Sequence, residues 1–74
     1  MKCHYTFDAT QLACPLPLAK TKQKIKEMGA GETLLVITKD RSSVLDFNVY
    51  TKISGHTLLK TKEENGNYYF YIKK

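Results

Sequence analysis

A thiol stands directly before two closely spaced prolines in Cys14-Pro15-Leu16-Pro17, and the chemistry of this chain is expected there. Proline at a first helical position gives up an N–H that has no intrahelical partner, and its fixed φ suits the first turn. Cys14 is thereby expected at the N-cap of a helix, where unpaired amides and the positive end of the helix dipole favour an anion. Cysteines in such places have thiol pKa values lowered from about 8.5 to roughly 3.5–7.5, and the thiolate is the nucleophile. The competing role is that of a small buried hydrophobe. Lys39-Asp40-Arg41 forms a second cluster. Lys39 or Arg41 suits stabilisation of a thiolate or persulfide anion, while Asp40 suits orientation of its loop or capping of a helix, local turn structure being the alternative for Asp40 and Arg41.

The other titratable residues fit less well. His4 and His56 are expected as half-exposed surface residues away from Cys14, not as its base. Cys-Pro-x-Pro contains no second thiol. Cys3 stands at the far end of an expected first strand, separated from Cys14 by more than the roughly 7 Å a disulfide tolerates. A single sulfur that accepts another and passes it on fits better than a dithiol oxidoreductase.

The elements that must position these residues follow from periodicity. Lys2–Phe7 alternates, with Cys3, Tyr5 and Phe7 on one side, as a first strand does. Asp8–Ala13 is a loop, and Pro15 to about Met28 a helix whose inward stripe is Leu18, Ile25 and Met28, with Thr21 or Lys22 between them; Gly29-Ala30-Gly31 stops it. Thr33–Thr38 contains Leu34-Leu35-Val36-Ile37, an apolar run typical of a central strand. Ser42 or Ser43 is expected to cap a second helix that runs to about Ile53, with Val44, Phe47 and Tyr50 inward and Gly55 at its end. Thr57–Glu63 and Asn67–Lys73 flank Asn65-Gly66, a two-residue hairpin signal. The order is βαβαββ: an α/β (α+β) two-layer sandwich with a four-stranded mixed sheet, the first two strands parallel, and both helices on one face. The open face is expected to carry some of Tyr68, Tyr69, Phe70 and Tyr71, as cross-strand packing more than as a base-stacking platform. Parallel strands bring the loops that follow them to one edge, so Cys14 and Lys39-Asp40-Arg41 are expected as neighbours.

Seventy-four residues make one small domain near the lower limit for a self-sufficient core. The chain has no apolar run of membrane-spanning length and no basic-then-apolar leader, so a soluble cytoplasmic protein without membrane insertion is expected. Two cysteines are too few for a secreted disulfide framework, and no metal-ligand spacing or cofactor motif is present. The net charge of +5 is concentrated at Lys20, Lys22, Lys24 and Lys26. Lys20 and Lys24 share one helical face, a docking surface for an acidic partner or simply a solvated face.

The run from Asp8 through Pro17, followed by Gly31-Glu32, Asp40 and Gly55-His56 in the same order, resembles the TusA/SirA family of small sulfur-carrier proteins over nearly the whole chain. Gln11 stands where members commonly have glycine, and Leu16 where many have glutamate. The resemblance implies a fold similar to the C-terminal domain of a translation initiation factor. It also implies a persulfide carried on Cys14, in an environment drawn from Pro15, Pro17, Lys39, Asp40 and Arg41, with no cofactor. Implied donors are cysteine desulfurases or rhodanese-like proteins. Implied acceptors are thiols serving tRNA thiolation, molybdenum cofactor assembly or sulfur oxidation. YeeD-type members add thiosulfate delivered by a membrane transporter. From another class, the basic helix and tyrosine-rich hairpin suit a basic RNA-binding module, and a regulatory interaction domain with an incidental cysteine is a third reading.

Overall fold

The structure is a computed structural model, and it describes residues 3–12 and 16–74. Six elements follow in the expected order: β1 (Tyr5–Asp8), α1 (Leu16–Glu27), β2 (Thr33–Thr38), α2 (Ser43–Ser54), β3 (Thr57–Glu64) and β4 (Asn67–Lys73). The sheet order is β1-β2-β4-β3. β1 runs parallel to β2, and β4 pairs antiparallel with both β2 and β3. β2 is thus hydrogen-bonded on both edges, which is why an unbroken apolar run forms it. Leu34 and Val36 enter the core fully buried, while Leu35 and Ile37, on the other face, are half-buried.

One apolar layer lies between the helices and the sheet. Ile25 of α1, Met28 just after that helix, Phe47 of α2, Leu34 and Val36 of β2, and Phe70 and Ile72 of β4 make up its centre, together with Ala9. Phe47 and Phe70 stack with centroids 4.6 Å apart, and burying each ring contributes about 1.5–3 kcal/mol. Leu18 and Tyr50 pack against this layer only partly buried.

Three expectations need correction. α1 turns inward Pro17, Thr21 and Ile25, with Met28 buried just beyond its end, so the second proline of the motif is a core residue of the helix's first turn. The Thr21 hydroxyl, fully buried, is tolerated because it donates to the Pro17 carbonyl at 2.7 Å, the back-bond available to threonine four residues on. α2 buries Ser43, Phe47 and Thr51, whereas Val44 faces outward at 36 % exposure. Its inward line is set by the hydroxyls of Ser43 and Thr51, which bond Thr38 and the Phe47 carbonyl respectively. β1 begins at Tyr5, after Cys3 and His4 and with Lys2 outside the described residues, because His4 Nδ1 accepts the Thr33 N–H at 3.1 Å while the His4 N–H donates to the Thr33 carbonyl. An imidazole there takes the place of a strand carbonyl, and Cys3 and His4 stand outside the strand.

The turns behave as their residues dictate. Asn65 and Gly66 both have positive φ, 53° and 81°, the pair needed by a tight hairpin turn of the primed type. Gly55 at φ 82° closes α2, its N–H returning to the Thr51 carbonyl as in a left-handed cap.

Candidate functional site

The carboxyl ends of β1 and β2 share one edge of the sheet, and both helices start there. The Ala9 N–H donates to the Ile37 carbonyl at 2.7 Å, continuing the parallel ladder one residue past β1. The chain then turns sharply: the amide and hydroxyl of Thr10 both donate to Asp8 Oδ1, at 2.9 and 2.7 Å, and the Leu12 N–H donates to the Ala9 carbonyl. An Asp-x-Thr pair builds this turn from its own side chains. The spacing was visible in the sequence, where Asp8 counted only as part of the motif. The Asp8 carboxyl is held below its ordinary range, first by the Thr10 hydroxyl, then by the Thr10 amide, with the charge of Lys39 adding to both. Lys39 and Asp8 thus answer each other across the two loops, and these loops adjoin as the parallel pairing requires.

Cys14 and Pro15 lie outside the described residues. The chain on either side is anchored at this edge, with Leu12 packed against the core and Pro17 buried in it. Gln11, which occupies a common glycine position, is exposed and has no left-handed backbone, Asn65 being the sole non-glycine residue of that kind among the described residues. A side chain there costs nothing conformationally.

The two helix starts differ in charge. The first turn of α1 has no acidic side chain, so no first-turn carboxylate offsets the positive end of its dipole. α2 has Asp46 in its first turn, and Asp40 sits just ahead of it. Asp40 Oδ1 accepts the Ser42 N–H at 2.9 Å and the Ser42 hydroxyl at 2.8 Å. The expected serine cap is therefore replaced: Ser42 makes no capping bond with its side chain, and the Ser43 hydroxyl is engaged by the Asp40 carbonyl and Thr38. Of the two roles read for Asp40, turn and helix-start structure is the one its contacts show. Arg41 is exposed and lines an open groove between α2 and the β3–β4 hairpin, with Lys52, Glu63 and Tyr68.

The α1 lysines divide between two sides. Lys24 Nζ lies 5.2 Å from the ring centroid of Phe7 on β1, and Lys22 Nζ lies 5.5 Å from that of Tyr50 on α2. Lys20 is exposed. Beside Lys22, an apolar ridge on α2 shows Leu45 69 %, Val49 45 % and Ile53 82 % exposed. Sequence reasoning passed over this ridge, although its spacing of four residues is regular. His4, His56 and Cys3 belong to the opposite edge, where His4 bonds Thr33 and His56 packs near Tyr50. Cys3 is a free, half-buried thiol. Among the described residues there is no group of His, Cys, Asp or Glu side chains arranged to hold a metal ion, and no helix long and apolar enough to cross a membrane.

The family model described as Sulfurtransferase TusA matches residues 5–74. The chain belongs to the TusA family. It is 43 % identical over 67 residues to a sulfur carrier protein TusA from Allochromatium vinosum, covering 90 % of this chain and 88 % of that one. A sulfur carrier protein TusA from Pseudomonas entomophila is 39 % identical over 69 residues, covering 93 % of this chain and 86 % of its own length. The fold also matches the crystal structure of a SirA-like protein from Desulfitobacterium hafniense, with a TM-score of 0.83, 24 % identity, and coverage of 93 % of this chain and 95 % of that chain. The TusA-family match spans both loops of the shared edge and the segment between Leu12 and Leu16.

Proposed function

We propose that this protein is a persulfide sulfur carrier and that Cys14 carries the sulfur. The observation that carries the proposal is the TusA-family match over residues 5–74, which runs through Cys14-Pro15-Leu16-Pro17. The Cys14 thiolate attacks the outer sulfur of a donor persulfide. The new Cys14 sulfur–sulfur bond forms as the donor's breaks, and the donor leaves as a thiolate. Delivery repeats the exchange in the opposite sense: an acceptor thiolate attacks the outer sulfur and Cys14 leaves. With thiosulfate as donor, the same attack on the outer sulfur expels sulfite.

Donor and acceptor are proteins bearing a persulfide or a thiol, the donor of the cysteine desulfurase or rhodanese-like class. A transporter-fed thiosulfate supply and a cytoplasmic location belong to the same proposal. Lys20 and Lys24 serve partner docking, extended by Lys22 and the exposed Leu45, Val49 and Ile53 beside it. Residues 1–74 act as one carrier domain.

The test is intact-mass spectrometry after incubation with a cysteine desulfurase and cysteine, and separately with thiosulfate. Addition of one sulfur atom, removable by a thiol reductant and absent in Cys14→Ser, is the expected result. Sulfur loading that survives Cys14→Ser overturns the site.

A further inference from the structure

Both helices cover the same side of the sheet, and among the described residues the other side has no layer above it. On β4, an interior strand, Phe70 and Ile72 go into the core with Tyr68 packed beside them, so Tyr69 and Tyr71 stand on the uncovered face. Their cross-strand neighbours complete two rows: Leu35, Tyr71 and Lys60 in one, and Ile37, Tyr69 and Lys62 in the other. Lys62 Nζ lies 5.9 Å from the Tyr69 ring centroid. That face of Tyr69 is covered by the Lys62 ammonium alone, and a base stacking there takes the ammonium's place.

We propose that this face binds single-stranded nucleic acid, two successive bases stacking on Tyr69 and Tyr71 while Lys60 and Lys73 meet the phosphates. Residues two apart on a strand are separated by about 6.6–6.8 Å. That is about twice the 3.4 Å rise per nucleotide of a stacked strand. Neighbouring bases must therefore splay, one to each ring, which an unpaired strand does readily and a duplex does not.

Charge selects the same ligand. Lys60, Lys62 and Lys73 share this face with Asp8 and Glu64 by register. Glu64 is bonded to Lys62 at 2.7 Å, and Asp8 is turned to Thr10. Both carboxylates sit at the end nearer the β1–α1 loop, leaving Lys60, Tyr71 and Lys73 as a positive, aromatic remainder. A second copy of the chain would set these lysines against one another. An acidic protein would satisfy the lysines without using the ring faces. Stacking planes bordered by cations match bases and phosphates together.

Fluorescence anisotropy with fluorescein-labelled decauridine and decathymidine, and with a duplex of equal length, tests this. Both single strands should bind at low salt and weaken as salt rises. Tyr69→Ala and Tyr71→Ala should each lose roughly tenfold or more in affinity, Tyr71→Phe should retain it, and Lys60→Gln should flatten the salt dependence. Cys14→Ser should bind as the parent does, which separates this face from the sulfur chemistry. Backbone amide shifts of the unmodified protein keep the test open should an alanine variant misfold: on titration with decauridine, Leu35, Ile37, Tyr69 and Tyr71 should move. Absence of binding at low salt, equal binding of duplex, undiminished binding by a folded Tyr69→Ala/Tyr71→Ala protein, or shifts confined to the α1 lysines would each overturn the proposal.

Discussion

Replacing Leu16 by glutamate tests the electrostatic basis of the proposed site. Leu16 is the first residue of α1 and is 47 % exposed, so a longer polar side chain enters solvent without emptying the core. The native first turn has no acidic residue, and the substitution adds one where a carboxylate interacts with the dipole by about 0.3–1 kcal/mol. The same charge acts directly on a thiolate two residues earlier in the chain. Charges two residues apart on an extended chain are separated by about 7 Å, and at an effective dielectric between that of a protein surface and that of water the repulsion is about 1 kcal/mol. The first effect stabilises the helix start, and only the second moves the thiol. At 1.36 kcal/mol per pKa unit, the Cys14 thiol should titrate roughly half a unit to one unit higher in Leu16→Glu than in the parent. Iodoacetamide alkylation followed against pH reads the midpoint, and iodoacetamide, being neutral, does not respond to the added charge during encounter. Leu16→Gln, similar in size and uncharged, should stay with the parent. A Leu16→Glu midpoint equal to that of the parent, or moved equally by Leu16→Gln, would refute the claim that the helix start sets the thiol.

Further outcomes follow from the same edge. Cys14→Ser should fold with an unchanged melting temperature and accept no sulfur, while Cys3→Ser, altered at the opposite edge, should load normally by intact mass. Asp40→Ala removes the acceptor of both Ser42 bonds, so it should cost about 1 kcal/mol as a lost cap does and lower the melting temperature by roughly 4–8 °C; loading from thiosulfate should persist, and its loss without a change in melting would give Asp40 a chemical role. Lys20→Glu/Lys24→Glu should slow sulfur transfer from a protein donor, with a weakened salt dependence, and leave iodoacetamide alkylation of Cys14 unchanged; equal protein-to-protein rates at low salt would remove the docking role. Because the folded-state pKa of Asp8 is depressed, its contribution to the Thr10 turn is present above its ordinary pKa and is lost as pH falls through the folded value, below 3.8; the Thr10 amide resonance should titrate with a midpoint below that value.

Most of the fold was legible because strong local signals agreed. Asn65-Gly66 fixed a hairpin, the apolar run at Leu34–Ile37 fixed a central strand, and the Gly55 stop fixed a helix end. Where the reading failed, side-chain hydroxyls and an imidazole competed with the backbone. Apolar periodicity pointed Val44 inward, but Ser43 and Thr51 took the buried line of α2 by bonding Thr38 and the Phe47 carbonyl. No hydropathy pattern reveals a threonine that satisfies its own hydroxyl. The start of β1 moved for a comparable reason, the His4 ring taking up the Thr33 N–H. At the site, adjoining loops were deducible from parallel strands alone, whereas the division of labour among the charged residues was not. That division rests on which donor each carboxylate meets, a matter of turn geometry within two residues of Asp8 and Asp40.

Two helices begin at one edge of this sheet, and the chain treats their positive ends in opposite ways. At α2 the positive end is met by carboxylates: Asp40 accepts from Ser42, and Asp46 lies in the first turn. That start is thereby made rigid, and an anion arriving there would meet negative charge. At α1 the first turn has no carboxylate, while the nearest described acid on the preceding loop, Asp8, is occupied by Thr10 and balanced by Lys39. An anion is thus favoured at only one of the two starts, the one that follows Cys14 in the sequence. In this chain the asymmetry favours a thiolate without a base. Its sulfur must be an adequate nucleophile when accepting and an adequate leaving group when delivering, and a thiol pKa near ambient pH serves both steps. A tightly held proton acceptor would favour one direction over the other. Backbone amides and a helix dipole favour the thiolate without taking a proton, so the same site can run the exchange in either sense, with the partner's thiol deciding which way the sulfur moves.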